Sequence, residues 1–358
     1  MHTINFKKKY LKKEKSTGLL FFAILFLFSS CKTNEITQNN VTQHYKGNTM
    51  GTSYNVKFVG VANQVKQASL DSILIALNDE VSTYMPSSII SILNESEQEK
   101  FELIDDLYFY DNYKIASEIY DLTKGNFDAS LAPLVNFWGF GYTDKDIKLK
   151  DKRAIPKIMP YIGFDKWKIE DKEDKRIIEK PSKAKLDFSA SAKGYGVDLL
   201  AQYIESRGVD SYYVEIGGEL RVKGVKTNGG KWTVGVNKPQ EDSELNEVSK
   251  IVELKDEAMA TSGNYRNFYK EDGITYSHII NPFTGFPERS TLLSATIIHE
   301  KCAYADGVAT ACMVMGKEKC IELLKNQADY EGLLLFSNDG ESIESWETEQ
   351  FSKKLVKM

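Results

Sequence analysis

Residues 303–313 read AYADGVATACM and place Asp306 and Thr310 four positions apart on a predicted helix. Because residues four apart share one face of an α-helix, the carboxylate and the hydroxyl project to the same side. Oxygen donors of these types suit a hard cation such as Mg²⁺. Combined with the further motifs below, the segment indicates a metal-assisted reaction on a phosphate compound.

Residues 185–198, KLDFSASAKGYGVD, predict a helix that begins shortly after a strand. The free N–H groups and the positive dipole end of such a helix attract phosphate, and Lys193 adds a mobile cation. Gly194 and Gly196 would let another group approach the backbone closely. The alternative is an ordinary capped helix whose glycines pack against a sheet.

His278 lies in the segment SHIINPFTGFP, residues 277–287, directly before a predicted tight loop. Histidine suits proton transfer near neutral pH, so His278 is the candidate general base or acid.

His299 ends a predicted strand among charged residues and is expected to face solvent. Residues 213–221, YVEIGGELR, have a glycine pair between strand residues, which indicates a tight bend or a close approach of the backbone, and we expect the segment to support the site. The alternative is a hairpin turn with Glu219 and Arg221 as a surface pair.

Residues 81–94 supply Ser82, Thr83 and Tyr84 on a predicted loop. An exposed aromatic ring beside hydroxyl groups could stack on a planar ligand and bond to its edge. The alternative is that Tyr84 is only a rim residue.

Apolar spacing along the rest of the chain predicts short strands, mostly adjacent in sequence, with helices between them. The pattern favours an α+β fold with mixed, largely antiparallel sheets and flanking helices, either as one large domain or as two intimate lobes.

Helices are expected over residues 306–314 and 317–326. Cys302, Cys312 and Cys320 are expected to be buried free thiols. The net charge of −5 and the lack of a basic stripe argue against nucleic acid as a partner.

The N-terminus has the pattern of a secretory signal, with six lysines followed by an apolar run over residues 18–28. Ser29 and Ser30 lead directly to Cys31, which is similar to a bacterial lipobox with Cys31 as the lipidated residue. The alternative is an ordinary signal peptide cut elsewhere. We predict a lipoprotein signal over residues 1–30, a flexible tether over 31–48 and one catalytic domain over 49–358.

Eight segments in order, over about residues 50–316, resemble the bacterial FAD:protein FMN transferases, also labelled thiamine-biosynthesis lipoproteins. They are MGTSY, STYMPSSIISILN, GNFDASLAPLVNFWGFG, LDFSASAKGYGVD, EIGGELR, ATSGNYRNFY, SHIINPFTGFP and ADGVATACMVMG. The resemblance implies a flavin site in a cleft between two lobes. It also implies an FAD site formed by Met50, Ser82, Thr83, Tyr84, Asp128, Lys193 and Ile280, Mg²⁺ held by the Ala190 carbonyl with Asp306 and Thr310, and His278 at the reacting centre.

The implied reaction splits FAD at its pyrophosphate, transfers FMN to a threonine hydroxyl of a target flavoprotein subunit and releases AMP. The implied location is the periplasmic face of a Gram-negative envelope, with a lipid anchor in the membrane. Two alternatives stay open: an Mg²⁺-dependent FAD pyrophosphatase, and a non-catalytic FAD-binding lipoprotein. Asn281 stands where the family commonly has Asp before Pro282, which leaves the protonation role of His278 open.

Overall fold

The structure is a computed structural model that describes residues 3–5, 41–104, 106–142, 151–172, 175–239, 247–264, 268–271, 274–339 and 342–357. Its strands are β1 (Thr3–Asn5), β2 (Val41–Thr49), β3 (Thr52–Gly60), β4 (Lys100–Ile104), β5 (Lys168–Lys172), β6 (Lys175–Glu179), β7 (Tyr212–Ile216), β8 (Glu219–Lys223), β9 (Trp232–Asn237), β10 (Val248–Leu254), β11 (Glu257–Gly263), β12 (Phe268–Glu271), β13 (Ile274–Ser277), β14 (Leu292–His299), β15 (Glu331–Phe336), β16 (Glu344–Glu347) and β17 (Leu355–Val356). Its α-helices are α1 (Gln67–Val81), α2 (Ile89–Glu95), α3 (Phe109–Leu122), α4 (Ala132–Phe137), α5 (Ile155–Ile158), α6 (Ser189–Ser206), α7 (Cys302–Asn326) and α8 (Glu349–Ser352), and short 3-10 helices span Lys152–Ala154, Met159–Tyr161 and Phe164–Lys166.

The central element is an eight-stranded sheet in the order β16-β15-β14-β11-β8-β7-β3-β2. Every neighbouring pair in it is antiparallel. Smaller sheets of four, three and two strands accompany it, and β1 with β4 forms a parallel pair. The predicted α+β class with largely antiparallel sheets is confirmed.

Helices α6 and α7 pack against this sheet, and they carry Lys193 (α6) and both Asp306 and Thr310 (α7). The apolar residues of α7, such as Val308 and Cys312, lie in the largest hydrophobic cluster together with Leu334 of the sheet. The two helices predicted over 306–314 and 317–326 form one element, Cys302–Asn326, bent at Gly316, which has φ 74° and ψ 176°. Glycine supports this bend because the left-handed region is strained for residues with a Cβ.

The cysteine prediction was correct for one residue and wrong for two. Cys302 is a buried free thiol. Cys312 and Cys320 form a disulfide across the bend of α7, with a Cα–Cα distance of 5.0 Å. The sequence reading failed here because an odd number of cysteines argued against pairing, whereas the bend brings these two side chains together.

The predicted tether, residues 31–48, was wrong over its last eight residues. Residues 41–48 belong to β2, which pairs with β3 along nine registered positions from Val41–Gly60 to Thr49–Thr52. The polar composition misled the prediction because β2 is an edge strand whose side chains alternate between exposed and half-buried positions. Cys31 and the predicted signal peptide lie outside the described residues, apart from Thr3–Asn5.

Among the described helices, none combines the length and the apolar character needed to span a bilayer.

Candidate active site

A cavity of about 630 Å³ lies between α6, α7, the β7–β8 turn, β9, β11 and the loops around residues 126–140 and 278–280. This volume falls within the range of roughly 300–1,000 Å³ typical of small-molecule sites. Eight of the predicted site residues line it, although they are far apart in sequence. They are Tyr84, Asp128, Ala190, Lys193, His278, Ile280, Asp306 and Thr310.

Three predicted site residues, Met50, Ser82 and Thr83, are not among the residues that line this cavity. Met50 occupies the β2–β3 turn with φ 49° and packs against the main core cluster. The carbonyl of Ser82 accepts a hydrogen bond from the Ser88 hydroxyl at 2.7 Å, and Thr83 is only 6% exposed. Ser82 and Thr83 belong to the loop that presents Tyr84, which is 69% exposed.

The three predicted metal-binding residues all line the cavity. Asp306 and Thr310 lie on α7, and Ala190 lies in the first turn of α6. The backbone N–H of Gly194, four residues after Ala190, donates to Oδ2 of Asp306 at 3.2 Å. The Thr310 hydroxyl is 3.1 Å from that of Ser262 on β11. The close contact between α6 and α7 therefore places Asp306 beside the first turns of α6.

Lys193 lies between two buried carboxylates. Its Nζ is 3.1 Å from Oε1 of Glu219 and 3.8 Å from Oδ2 of Asp306. Glu219 is 6% exposed, which contradicts the alternative of a surface pair of Glu219 and Arg221. Arg221 pairs instead with Asp198 at 3.0 Å. Glu219 is a site residue that the sequence reading missed, because only the adjacent Gly217-Gly218 pair pointed to it.

The pKa values in this cluster reflect burial opposed by charge. Burial raises the pKa of Asp306 to about 7 and Glu219 adds to the rise, while Lys193 and the Gly194 N–H oppose it. Burial disfavours the charge of Lys193, but Asp306 and Glu219 outweigh it and raise the lysine pKa. Lys193 therefore stays protonated at neutral pH, and the Asp306 carboxyl takes up a proton more readily than an ordinary aspartate does.

These residues fit a hard divalent cation. All of the candidate ligands are oxygen atoms: a carboxylate, a hydroxyl and a backbone carbonyl. Oε2 of Glu219 is buried and has no hydrogen-bond partner within the described part of the chain, so it can accept a hydrogen bond from a ligand or contact a cation. No group of three or more His, Cys, Asp and Glu residues that could hold a metal occurs among the described residues, so a site of this kind depends on hydroxyl and carbonyl ligands.

The N-terminus of α6 also faces the cavity, through Ser189 and Ala190. The predicted helix start within residues 185–198 is confirmed, and α6 begins at Ser189. However, Oδ1 of Asp187 already accepts the Ser189 N–H at 2.8 Å. The first free amide of the helix is therefore already satisfied within the protein and is not available to an anion.

Asp128 lines the cavity and also forms hydrogen bonds that connect two loops. Its Oδ1 accepts from the Ser130 N–H at 2.7 Å and from the Ser130 hydroxyl at 2.6 Å. Its Oδ2 accepts from the Phe164 N–H at 3.3 Å. Burial raises its pKa, and the Ser130 hydrogen bonds oppose that rise. Asp128 thus holds two loops together at the edge of the cavity.

His278 enters the cavity from the loop that follows β13. Its ring meets Phe140 edge-on at a centroid distance of 6.3 Å, and Ile280 beside it is 3% exposed. The side chain of Asn281 accepts from the N–H groups of Phe283 and Thr284 at 2.9 and 3.2 Å. Asn281 therefore closes the tight loop that the sequence predicted.

His299 lies at the end of β14, and the cavity-lining residues do not include it. The expectation that it faces solvent was wrong. Its ring stacks on Tyr330 at a centroid distance of 4.5 Å, and its Nδ1 accepts from the Lys301 N–H at 3.0 Å. Burial lowers its pKa.

Taken together, the cavity contains a cation-compatible oxygen cluster, a charged lysine and a histidine, with apolar and glycine walls that admit a large ligand. Such an arrangement can bind the phosphate groups of an anionic ligand, neutralise their charge and exchange a proton at a reacting oxygen.

Comparison with known proteins gives consistent matches. The family model described as "ApbE family" matches residues 50–334. A protein of Vibrio cholerae named "FAD:protein FMN transferase" is 38% identical over 287 residues, which cover 77% of this chain and 82% of that protein.

Solved structures share the fold as well. The structure titled "Flavin Transferase ApbE from Vibrio cholerae" superposes with a TM-score of 0.79 at 32% identity, covering 88% of this chain and 100% of that one. The apo form of Pseudomonas stutzeri flavinyl transferase ApbE gives a TM-score of 0.78 at 29% identity, covering 88% of this chain and 97% of that one.

Proposed function

This chain belongs to the ApbE family, and we infer that it is an enzyme that transfers FMN from FAD to a protein. FAD is then a substrate, and the second substrate is a flavoprotein target. We propose further that the acceptor is a threonine hydroxyl, that AMP is released and that the reaction requires Mg²⁺. The convergence of Lys193, His278 and Asp306 on one cavity is the observation that carries this proposal.

The atoms balance in a single displacement. The threonine oxygen forms a bond to the phosphorus of the FMN half, and the bond from that phosphorus to the bridging oxygen of the AMP half breaks. The hydroxyl proton passes to His278, and AMP leaves as a phosphate monoester. A positioned base of this kind contributes about a hundred- to ten-thousandfold in rate.

The other residues bind and orient the two substrates. Lys193 attracts the diphosphate, and Glu219 holds its ammonium group at 3.1 Å. Ala190, Asp306 and Thr310 would hold Mg²⁺, which when bound stabilises the negative charge on the diphosphate. Tyr84, Asp128 and Ile280 would contact other parts of FAD from the cavity wall, whereas the assignment of Met50, Ser82 and Thr83 to FAD binding stays a prediction.

We propose that the protein acts outside the cytoplasm, anchored through a lipid on Cys31 at the periplasmic face of a Gram-negative envelope. The signal-like N-terminus supports export. The Cys312–Cys320 disulfide is independent support, because structural disulfides are typical of proteins that fold outside the reducing cytoplasm. Mass measurement of the protein extracted from membranes would reveal the lipid on Cys31 or its absence.

The test of the activity incubates the protein with FAD, Mg²⁺ and a soluble domain of an extracytoplasmic electron-transfer subunit that carries an acceptor threonine. Intact-mass spectrometry of that domain should show the gain of one FMN, and chromatography should show an equal amount of AMP. Asp306→Asn preserves the shape of the side chain but removes its charge, so transfer should fall by at least about a hundredfold.

The other outcomes separate the alternatives. Free FMN without an adduct would mean that water is the acceptor and that the enzyme is a pyrophosphatase. FAD recovered intact, with equal binding by Asp306→Asn, would mean a flavin carrier. Transfer at full rate after removal of divalent ions with a chelator would refute the proposed Mg²⁺ requirement.

A further inference from the structure

The loop beyond His278 carries two exposed aromatic side chains, Phe283 and Phe286, which we call the aromatic tip. Their exposed fractions are 60% and 41%. With about 200 Å² of surface for a whole phenylalanine side chain, the two rings leave on the order of 200 Å² in contact with water. Exposed apolar surface concentrated on one loop marks an interaction site more often than scattered exposure does.

The backbone of this loop is firmly held. Ile280 and Pro287 form a β-bridge at its base, and the Asn281 N–H donates to the Phe286 carbonyl at 2.8 Å. The Gly285 N–H donates to the Asn281 carbonyl at 2.8 Å. The indole N–H of Trp138 donates to the Gly285 carbonyl, also at 2.8 Å. The two rings are therefore presented on a preorganised turn, which lowers the entropy cost of binding a partner.

The aromatic tip lies next to the cavity. The loop leaves the cavity wall at Ile280, which lines it. On one side, the Phe283 ring lies 3.5 Å from the position of a Cβ built on Gly125, next to Asn126 of the cavity lining. On the other side, Phe286 meets Trp138 at a centroid distance of 5.8 Å. A macromolecule that places a hydroxyl beside His278 must therefore pass close to these rings.

We propose that the aromatic tip is a docking surface for the acceptor protein and binds an apolar side chain close to the hydroxyl that receives FMN. This inference rests on the proposed function, because a transferase needs contacts to a polypeptide that a hydrolase does not need. The tip supplies binding energy remote from the reacting atoms, which positions the hydroxyl for attack. Rigid aromatic residues at the centre of a contact commonly dominate its affinity.

A polypeptide fits this surface better than a membrane does. Surfaces that insert into anionic membranes combine apolar residues with lysine or arginine. The loop NPFTGFP, residues 281–287, contains no basic residue. It also continues directly from the cavity wall, where the acceptor has to bind and a lipid has no role.

The experiment compares the double variant Phe283→Ser and Phe286→Ser with the unmodified protein, in transfer of FMN to the same acceptor domain. The matched control is Ile75→Ser, which removes a side chain that is 61% exposed on α1, an element that does not line the cavity. We expect KM for the acceptor domain to rise about ten- to a hundredfold in the double variant. We expect kcat, and the affinity for FAD measured by flavin fluorescence, to stay within about twofold in both variants.

Several results would overturn the docking surface. One is an unchanged KM for the acceptor domain in the double variant. Another is a rise in the same KM in Ile75→Ser that equals the rise in the double variant. A parallel loss of FAD affinity would make the loop part of the flavin site instead. Reduced binding to vesicles of mixed phosphatidylglycerol and phosphatidylethanolamine, with an unchanged KM, would identify a membrane contact. If the unmodified protein transfers no FMN to the domain, the proposed function fails first, and this inference falls with it.

Discussion

At the scale of single residues, the charge balance around Lys193 governs the site. Two buried carboxylates share one ammonium group, and the nearer contact is to Glu219, at 3.1 Å against 3.8 Å for Asp306. By binding Lys193, Glu219 leaves the Asp306 carboxylate available to a cation. Glu219 is therefore a positioning residue, which acts on the proposed metal site through Lys193.

The first prediction concerns Glu219→Gln. Without the Glu219 charge, Lys193 should move toward Asp306 and compete with Mg²⁺, so the Mg²⁺ affinity should fall about tenfold or more. Titration calorimetry with Mg²⁺ measures this change without any turnover. Glu253→Gln is the control, because Glu253 forms an exposed ion pair with Lys231 at 3.3 Å.

A purely structural role for Glu219 would give a different result: lower stability in urea with unchanged Mg²⁺ affinity. Glu219→Asp retains the charge and should recover part of the affinity lost in Glu219→Gln. Equal affinities in the unmodified protein and Glu219→Gln would contradict the positioning role.

The second prediction concerns pH and His299. Burial lowers the pKa of folded His299 below its ordinary value of about 6.5. As pH falls below about 6.5, the unfolded chain therefore binds a proton that the folded chain resists, and the free energy of unfolding decreases. His299→Asn keeps a hydrogen-bond acceptor for the Lys301 N–H but does not titrate.

Urea denaturation at pH 7.5 and 5.5 measures the effect. The unmodified protein should lose more stability between these two pH values than His299→Asn does. Equal losses in both proteins would show that His299 does not contribute to the pH dependence.

At the scale of elements, the contact between α6 and α7 determines whether the site exists. A Cβ built on Gly194 would lie 2.6 Å from the Cys302 carbonyl oxygen and 2.9 Å from the Ala303 Cα. The glycine was recognised in the sequence as a point of close approach, and the approaching group is the backbone of α7. Because Lys193 is on α6 and Asp306 on α7, the separation of these two helices sets the spacing of the charges.

The third prediction compares Gly194→Ala with Gly196→Ala on the same helix. Both gain roughly 1 kcal/mol of helix propensity. At Gly194 the new methyl group meets backbone, and overpacking of this kind costs about 1–3 kcal/mol. At Gly196 the nearest atom is the side-chain tip of Ile216 at 3.2 Å, which can move.

We therefore expect Gly194→Ala to lower both the free energy of unfolding and kcat for FMN transfer, and Gly196→Ala to be close to neutral. Urea denaturation and steady-state kinetics of both variants provide the measurement. If the two variants have equal free energies of unfolding and equal kcat values, the spacing between α6 and α7 does not affect the site.

At the scale of the whole molecule, β2 completes the eight-stranded sheet. It pairs with the edge of β3, whose side chains Tyr54, Val56 and Phe58 are fully buried. Side-chain contacts also fix β2 to the body: the Tyr45 hydroxyl donates to the Val65 carbonyl at 3.1 Å, and Gln67 donates to the Lys46 carbonyl at 2.7 Å. The folded domain therefore extends to residue 41 rather than beginning at residue 49.

The fourth prediction compares chains that begin at residue 41 and at residue 50. The shorter chain exposes β3 as a long edge strand and loses several hydrogen bonds of about 0.5–1.5 kcal/mol each. We expect its free energy of unfolding to fall by about 2 kcal/mol or more, with increased aggregation in light scattering. Equal free energies of unfolding for the two chains would show that residues 41–48 do not stabilise the domain and act as part of the tether.

The α+β class and the helices around the motifs followed from the sequence, because they depend on local spacing and side-chain chemistry. Eight of the eleven predicted site residues line the cavity. The motifs themselves indicated Tyr84, Lys193, His278, Asp306 and Thr310, whereas the family resemblance implied Asp128, Ala190 and Ile280. The burial of Glu219, the Cys312–Cys320 disulfide, the stacking of His299 and the pairing of β2 were missed. The disulfide depends on the bend at Gly316, which interrupts the helical periodicity and brings the two cysteines together. The other three depend on contacts between separate segments: Glu219 with Lys193, His299 with Tyr330, and β2 with β3. Local periodicity carries no information about such contacts, so only the tertiary structure decided them.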